Sequence, residues 1–254
     1  MFMKPGFLLP LPAVALSAAT LYAQSTISLP DAPTPSPDAA TIRNLPRNLL
    51  HDQAAIWTFP LHVNEGGVIE GIFLVAGAAA LGADDRHIMQ DHFHDQNTID
   101  HANTASEGLT GLFGVAPVVF YGVGAIHHND EAKKTGVMGG EAMVDAVAVN
   151  HAIKIVSRRE RPTADDAKGK FFQPGVGFDS SFASDHCVVA WSSAAVIASE
   201  YNGWMTKFVA YDLASGVSVT RVVSRNNFPS DVLVGSAVGW MIGRYVHHRH
   251  NVDE

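Results

Sequence analysis

From Leu49 onward, apolar residues recur at helical spacing, β-branched runs stay short, and no pair of segments reads as a hairpin. A chain patterned this way has to bury helix against helix. The spacing predicts helices over 48–58, 66–82, 106–126, 138–159, 186–201, 205–224 and 230–247. The fold class expected is therefore all-α, a bundle of about six to seven helices over residues 45–250. No internal repeat is visible. The polar, His-rich stretch 84–100 reads as a loop or short helix.

The region before this pattern is different. Lys4 gives a short positive segment, residues 7–21 form an apolar run broken by Pro10 and Pro12, and Leu21-Tyr22-Ala23-Gln24 offers a cleavage site after Ala23. This is the layout of a secretory signal peptide over residues 1–23, and it predicts a periplasmic or secreted protein, the alternative being an inner-membrane association. Residues 24–44 are rich in Pro, Ser, Thr and Asp, a linker composition that cannot bury a core. A membrane span needs about 20 apolar residues. Residues 108–126 meet that length with no Asp, Glu, Lys or Arg, while the other segments carry charges and the mean hydropathy is only +0.09. The bundle is read as soluble, with membrane association as the alternative. A formal charge of −8 supplies no field to attract nucleic acid, and a single cysteine, Cys187, excludes an intramolecular disulfide.

Three short segments carry chemistry. In the first, Lys154 and Arg161 stand seven residues apart, two helical turns, on one face, and Pro162 ends the helix. Lys offers a compact charge and Arg a fork of donors, a pair suited to phosphate. In the second, Ala183-Ser184-Asp185-His186 precedes an apolar helix. Ser184 is placed to cap it, its free N–H groups could receive an anion, and His186 in the first turn could donate a proton to a leaving oxygen. In the third, Thr220-Arg221 is followed by Asn227, Pro229 and Asp231, with Asp231 one turn beyond Asn227 and able to orient its side chain. Read alone, each has a plainer explanation: a solvated basic face, a capped helix with a surface histidine, and a turn with an acidic cap.

Together and in this order, the segments resemble the three-part signature of the type 2 phosphatidic acid phosphatase superfamily, whose fold is shared with vanadium haloperoxidases. Lys154, six residues and Arg161-Pro162 match the first motif throughout. Ala183-Ser184-Asp185-His186 stands for Pro-Ser-Gly-His. Thr220-Arg221, five residues, Asn227, three residues and Asp231 stands for Ser-Arg, His and Asp. The resemblance spans about residues 140–247. It implies a phosphoester hydrolase acting on a phosphomonoester or lipid phosphate. Lys154, Arg161 and Arg221 would hold the phosphoryl oxygens, with Ser184 and the backbone N–H of Asp185 adding hydrogen bonds. His186 would be the general acid, and the third-motif histidine would form a phosphohistidine while Asp231 holds its ring. No metal or other cofactor is implied for phosphoryl transfer.

Two departures matter. Asn227 takes the place of the nucleophilic histidine, and a carboxamide has no basic ring nitrogen. No histidine occurs between Cys187 and Tyr245, and rescue by His151 or His247 has no support in the sequence. Asp185 replaces a glycine, bringing a carboxylate that repels phosphate unless a cation neutralises it. A phosphate- or phospholipid-binding pseudoenzyme is thus the alternative to an active hydrolase, and a vanadium haloperoxidase is disfavoured because its metal bonds through the missing histidine. Outside the motifs, Asp84, Asp85, His87, Asp91, His92, His94, Asp95 and His101 read as a solvated stretch without structural-metal spacing. His247, His248 and His250 read as a polar tail, and Cys187 as a small core residue.

Overall fold

A computed structural model describes residues 40–58 and 65–251, and the signal-peptide assignment and most of the linker lie outside these residues. The described residues are all-α. They contain seven α-helices: α1 Leu45–Thr58, α2 Glu65–Asp91, α3 Gln96–Ile126, α4 Asp130–Ser157, α5 Asp185–Glu200, α6 Trp204–Val223 and α7 Pro229–His250. Short 3-10 turns, Asp165–Ala167 and Gly177–Asp179, interrupt the connection from α4 to α5.

Helix α5 is the axis of the bundle, with α3, α4, α6 and α7 packed around it. Its Trp191, Ala194, Ala195 and Ala198 meet Ala210, Ala214 and Val217 of α6 and Val232 and Trp240 of α7. On its other side, Val188 and Val196 join Met138, Ala142 and Ala146 of α4 to Ile242 and Val246 of α7. The approach of α7 to α5 is backbone-close. A Cβ at Gly235 would stand 2.8 Å from the Ser184 carbonyl oxygen, and one at Gly239 2.5 Å from that of Val188. Glycine at these positions lets the helices carrying the second and third motifs meet at their N-terminal ends.

The stretch expected as a loop or short helix over 84–100 is mostly helix, divided between two long ones. Its first half completes α2, and its second half opens α3, where Asp95 caps by accepting from Thr98 N at 2.9 Å. The helix continues through this polar sequence because Asp85 faces inward and finds partners there. Helix α3 is also longer than its apolar part. It is long and apolar enough to cross a membrane, yet only 17% of its most apolar window is buried, and Val115, Val118, Val119, Val123 and Ile126 are exposed.

Two of the three histidines near the end are not a free tail: His247 Nε2 lies 3.0 Å from Glu200 Oε2, and His250 Nε2 lies 2.8 Å from Glu141 Oε1, while His248 is exposed. Here Asp52 of α1 and Glu141 and Asp145 of α4 are fully buried beside Arg249. Burial, with Glu141 beside it, pushes Asp52 up to about 9, and burial pushes Asp145 up to about 7. Burial also works against the charge on Glu141, but bonds involving His250, Asp52 and Asn48 outweigh it and hold Glu141 below its ordinary value. A protonated Asp52 supplies a donor that a group of carboxylates lacks. An acid raised in the folded state binds a proton that the unfolded chain has released, so stability falls as pH rises from the ordinary value of 3.8 to about 9. The melting temperature is therefore expected to drop between pH 7.5 and 9. Asp52→Asn should remove most of that drop, as thermal melts followed by circular dichroism would report.

Candidate active site

The three motif segments converge at the N-terminal ends of α5 and α7 and the C-terminal ends of α4 and α6. Lys154 sits in the last turn of α4 and is buried. Its Nζ donates to the Ser180 carbonyl and pairs with Asp185 Oδ2 at 3.0 Å. Burial lowers its pKa, and Asp185 opposes that shift. The Asp185 carboxylate is thus turned onto a motif cation, and its Oδ1 also accepts from Asn150 Nδ2 at 2.6 Å. Removing this charge should free Lys154 for a ligand. A hydrogen bond to a charged group is worth roughly 1.5 kcal/mol or more. Asp185→Asn, which preserves the shape, is therefore expected to tighten orthophosphate binding on the order of tenfold in calorimetric titrations near pH 6.

Ser184 is the N-cap residue of α5, but its side chain does not cap the helix. Its hydroxyl donates to Asn227 Oδ1 at 3.1 Å. Arg221 Nε donates to the same oxygen at 3.0 Å, and Asn227 Nδ2 donates to the Ser181 carbonyl at 2.7 Å. Asn227 is buried, and its amide ties the second segment to the third. Arg161 Nη1 donates to the Asn226 carbonyl at 3.1 Å, bringing the last motif cation against the same loop.

His186 faces Arg221, with Nε2 3.4 Å from Nη1. Burial and the Arg221 charge lower its pKa, while Glu107 raises it. Glu107 reaches in from α3, its Oε1 2.9 Å from His186 Nε2 and 3.5 Å from Arg221 Nη1. The sequence reading missed this residue, since nothing in the chain ties a lone glutamate in an apolar helix to a site 79 residues away.

Asp231 does not meet Asn227 as expected. Its Oδ2 accepts from Phe228 N at 2.8 Å, closing the first turn of α7, and its Oδ1 pairs with Arg159 Nη1 at 2.5 Å. Burial raises its pKa, and Arg159 opposes that shift. Arg159, which lies within the first segment, is buried. It also binds Asp85 Oδ2 at 2.7 Å and Ser230 Oγ at 2.7 Å, with the Phe171 and Phe228 rings 4.7 and 4.1 Å from its guanidinium. Cys187 is buried and its pKa is raised by burial, as suits a core thiol rather than a reactive one. His151 packs against Phe178 with ring centres 5.7 Å apart, and His247 pairs with Glu200, so neither is bonded to the motif residues. Among the described residues, no three His, Cys, Asp or Glu side chains are grouped to hold a metal ion.

Chemically, the cluster offers three cations, a hydroxyl, a helix N-terminus and an imidazole, an arrangement suited to a phosphoryl group. At residue 227, where the motif resemblance expects a histidine, it offers a bonded carboxamide. Residues 138–253 match the family model described as PAP2 superfamily. No curated protein and no solved structure matches the chain.

Proposed function

We propose, from the premise that residues 138–253 make this chain a member of the PAP2 superfamily, that its site binds a phosphomonoester in a phosphatase-type pocket whose nucleophile is missing. Membership supports a phosphatase-like or related phosphoesterase function. The finer reading rests on one observation: both ends of the Asn227 amide are engaged, by Ser184, Arg221 and the Ser181 carbonyl. A carboxamide so held is a poor nucleophile and a good brace.

In this reading Lys154, Arg161 and Arg221 hold the phosphoryl oxygens. The first N–H groups of α5 add neutral donors, and the Ser184 hydroxyl adds another when it turns from Asn227 to the ligand. His186 stands beside Arg221, where it would pass a proton to a leaving oxygen. The residues do not fit vanadium held as in the related haloperoxidases, because the amide in place of the histidine has no ring nitrogen to bond it, and no step is routed through that ion.

The apolar exposed face of α3 supports a lipid phosphate as the ligand, since the same helix carries Glu107 into the site. The signal-peptide pattern in residues 1–23 supports a periplasmic or secreted location. The test is hydrolysis of a chromogenic phosphomonoester by the parent and by Asn227→His, with orthophosphate titrated into both. Vesicles containing phosphatidic acid form a second substrate arm. A parent that binds phosphate but is silent on both substrates supports the reading. A parent that binds no phosphate, or that turns over either substrate at the rate of Asn227→His, sinks it, and turnover of the vesicles alone by Asn227→His assigns a lipid phosphate.

A further inference from the structure

Among the described residues, Glu107 is the one bonded to both Arg221 and His186 that lies outside the three motifs and outside the family match. Its placement is built rather than incidental. One turn earlier on α3, Asn103 Oδ1 accepts from Asn226 Nδ2 at 2.8 Å, so two positions on one face of α3 are docked at the site, Asn103 on the loop that carries Asn227 and Glu107 on Arg221 and His186. The two partners of Glu107 are held, with side-chain exposures of 6% for Arg221 and 23% for His186, whereas Glu107 itself is 58% exposed. Its surroundings are open: a Cβ at Gly108 or Gly111 would meet nothing within 4 Å.

We propose that Glu107 is a specificity-determining residue of the pocket: its carboxylate occupies the place of a ligand's anionic oxygens on Arg221 and His186, and, once displaced, it pairs with a cationic group carried next to the ligand's phosphate. The inference rests on the phosphate-pocket reading above and names the ligand class, an aminoalkyl phosphate or the head of a lipid built like one. The charge balance carries it. Lys154, Arg161 and Arg221 face the carboxylates of Asp185 and Glu107. Asp185 stays on Lys154, so an entering phosphate exchanges with Glu107. A simple alkyl phosphate leaves the displaced carboxylate beside a new anion with no partner. A ligand with an ammonium about four bonds from phosphorus, as in 2-aminoethyl phosphate, gives it one, at the open mouth of the site.

The test compares 2-aminoethyl phosphate with propyl phosphate, which has the same chain length and no ammonium, by calorimetric titration at pH 7.5 into the full chain and its Glu107→Gln form. The parent is expected to bind the amine at least about tenfold tighter, the size of one charge-assisted bond. In Glu107→Gln, propyl phosphate should tighten and the preference should fall to within about twofold. Glu107 is half in solvent, so the variant should melt like the parent, and a circular dichroism melt checks this. A parent without preference, or a Glu107→Gln form that keeps it, overturns the proposal. Binding of propyl phosphate to Glu107→Gln reports on the phosphate pocket separately. If it binds while the parent shows no preference, only the role of Glu107 falls. If no form binds either ester, the pocket reading and this inference fall together.

Discussion

Arg159→Met is expected to destabilise the fold by about 3–5 kcal/mol, the cost of removing one partner from a buried charge pair. Arg159 is 3% exposed, and its guanidinium sits between Asp85 and Asp231, at 2.7 and 2.5 Å, with the Phe171 and Phe228 rings close by. Methionine can occupy the apolar slot, so the loss comes from two carboxylates left in a dry interior. That attribution has its own check. Asp85→Asn in the Arg159→Met background removes one of the orphaned charges and should recover part of the loss. The contrast is Arg86, whose 3.0 Å pair with Asp166 is exposed on both sides. Arg86→Met should shift stability by no more than about 0.5 kcal/mol. Urea unfolding of the variants decides it. Equal effects at 86 and 159 would mean that the Arg159 network is not a keystone of the site.

That network also shows where sequence reading stops. The three motifs are legible because their spacings are local: Lys154 and Arg161 share a face by helical periodicity, and Asn227 and Asp231 lie one turn apart. The bundle is legible because apolar period and helix punctuation agree from Leu49 to His247. What periodicity cannot supply is the partner of a buried charge. Asp85 looked like one acid in a polar loop, and it is buried in α2 because Arg159 and the Ser230 N–H, 74 and 145 positions away, neutralise and bond it. The local pattern expected Asp231 on residue 227, but the buried Arg159 guanidinium, which also holds the buried Asp85, took one of its oxygens. Asp185 was legible as a hazard to phosphate and illegible in its answer, since Lys154 had already been assigned to the ligand. His250 read as tail because Glu141 is invisible from position 250. In each case the missing information is a long-range electrostatic match.

The same rearrangement bears on what restoring the nucleophile would do. Asn227→His is expected to raise turnover of a chromogenic phosphomonoester by about 10²–10⁴-fold over the parent, the lower part of what a lost nucleophile commonly costs. Full recovery is not expected, because Asn227 is buried and its three bonds to Ser184, Arg221 and Ser181 must be given up for a larger ring. Asp231 can still serve the new imidazole: a carboxylate oxygen has two lone pairs, and Oδ2 accepts only the Phe228 N–H. Asp231→Asn added to Asn227→His should therefore lose most of the gain, and His186→Ala should lose it without weakening phosphate binding to the same degree. The pH profile carries an independent sign. His186 must be protonated to act as an acid, and burial and Arg221 lower its pKa from 6.5, so kcat/KM of Asn227→His should fall as pH rises, with a midpoint below 6.5. If Asn227→His binds phosphate like the parent yet stays silent, the ring does not reach phosphorus, and the hold of Arg159 on Asp231 becomes the next contact to weaken. If the parent already turns over at a comparable rate, residue 227 is not the attacking position in this chain.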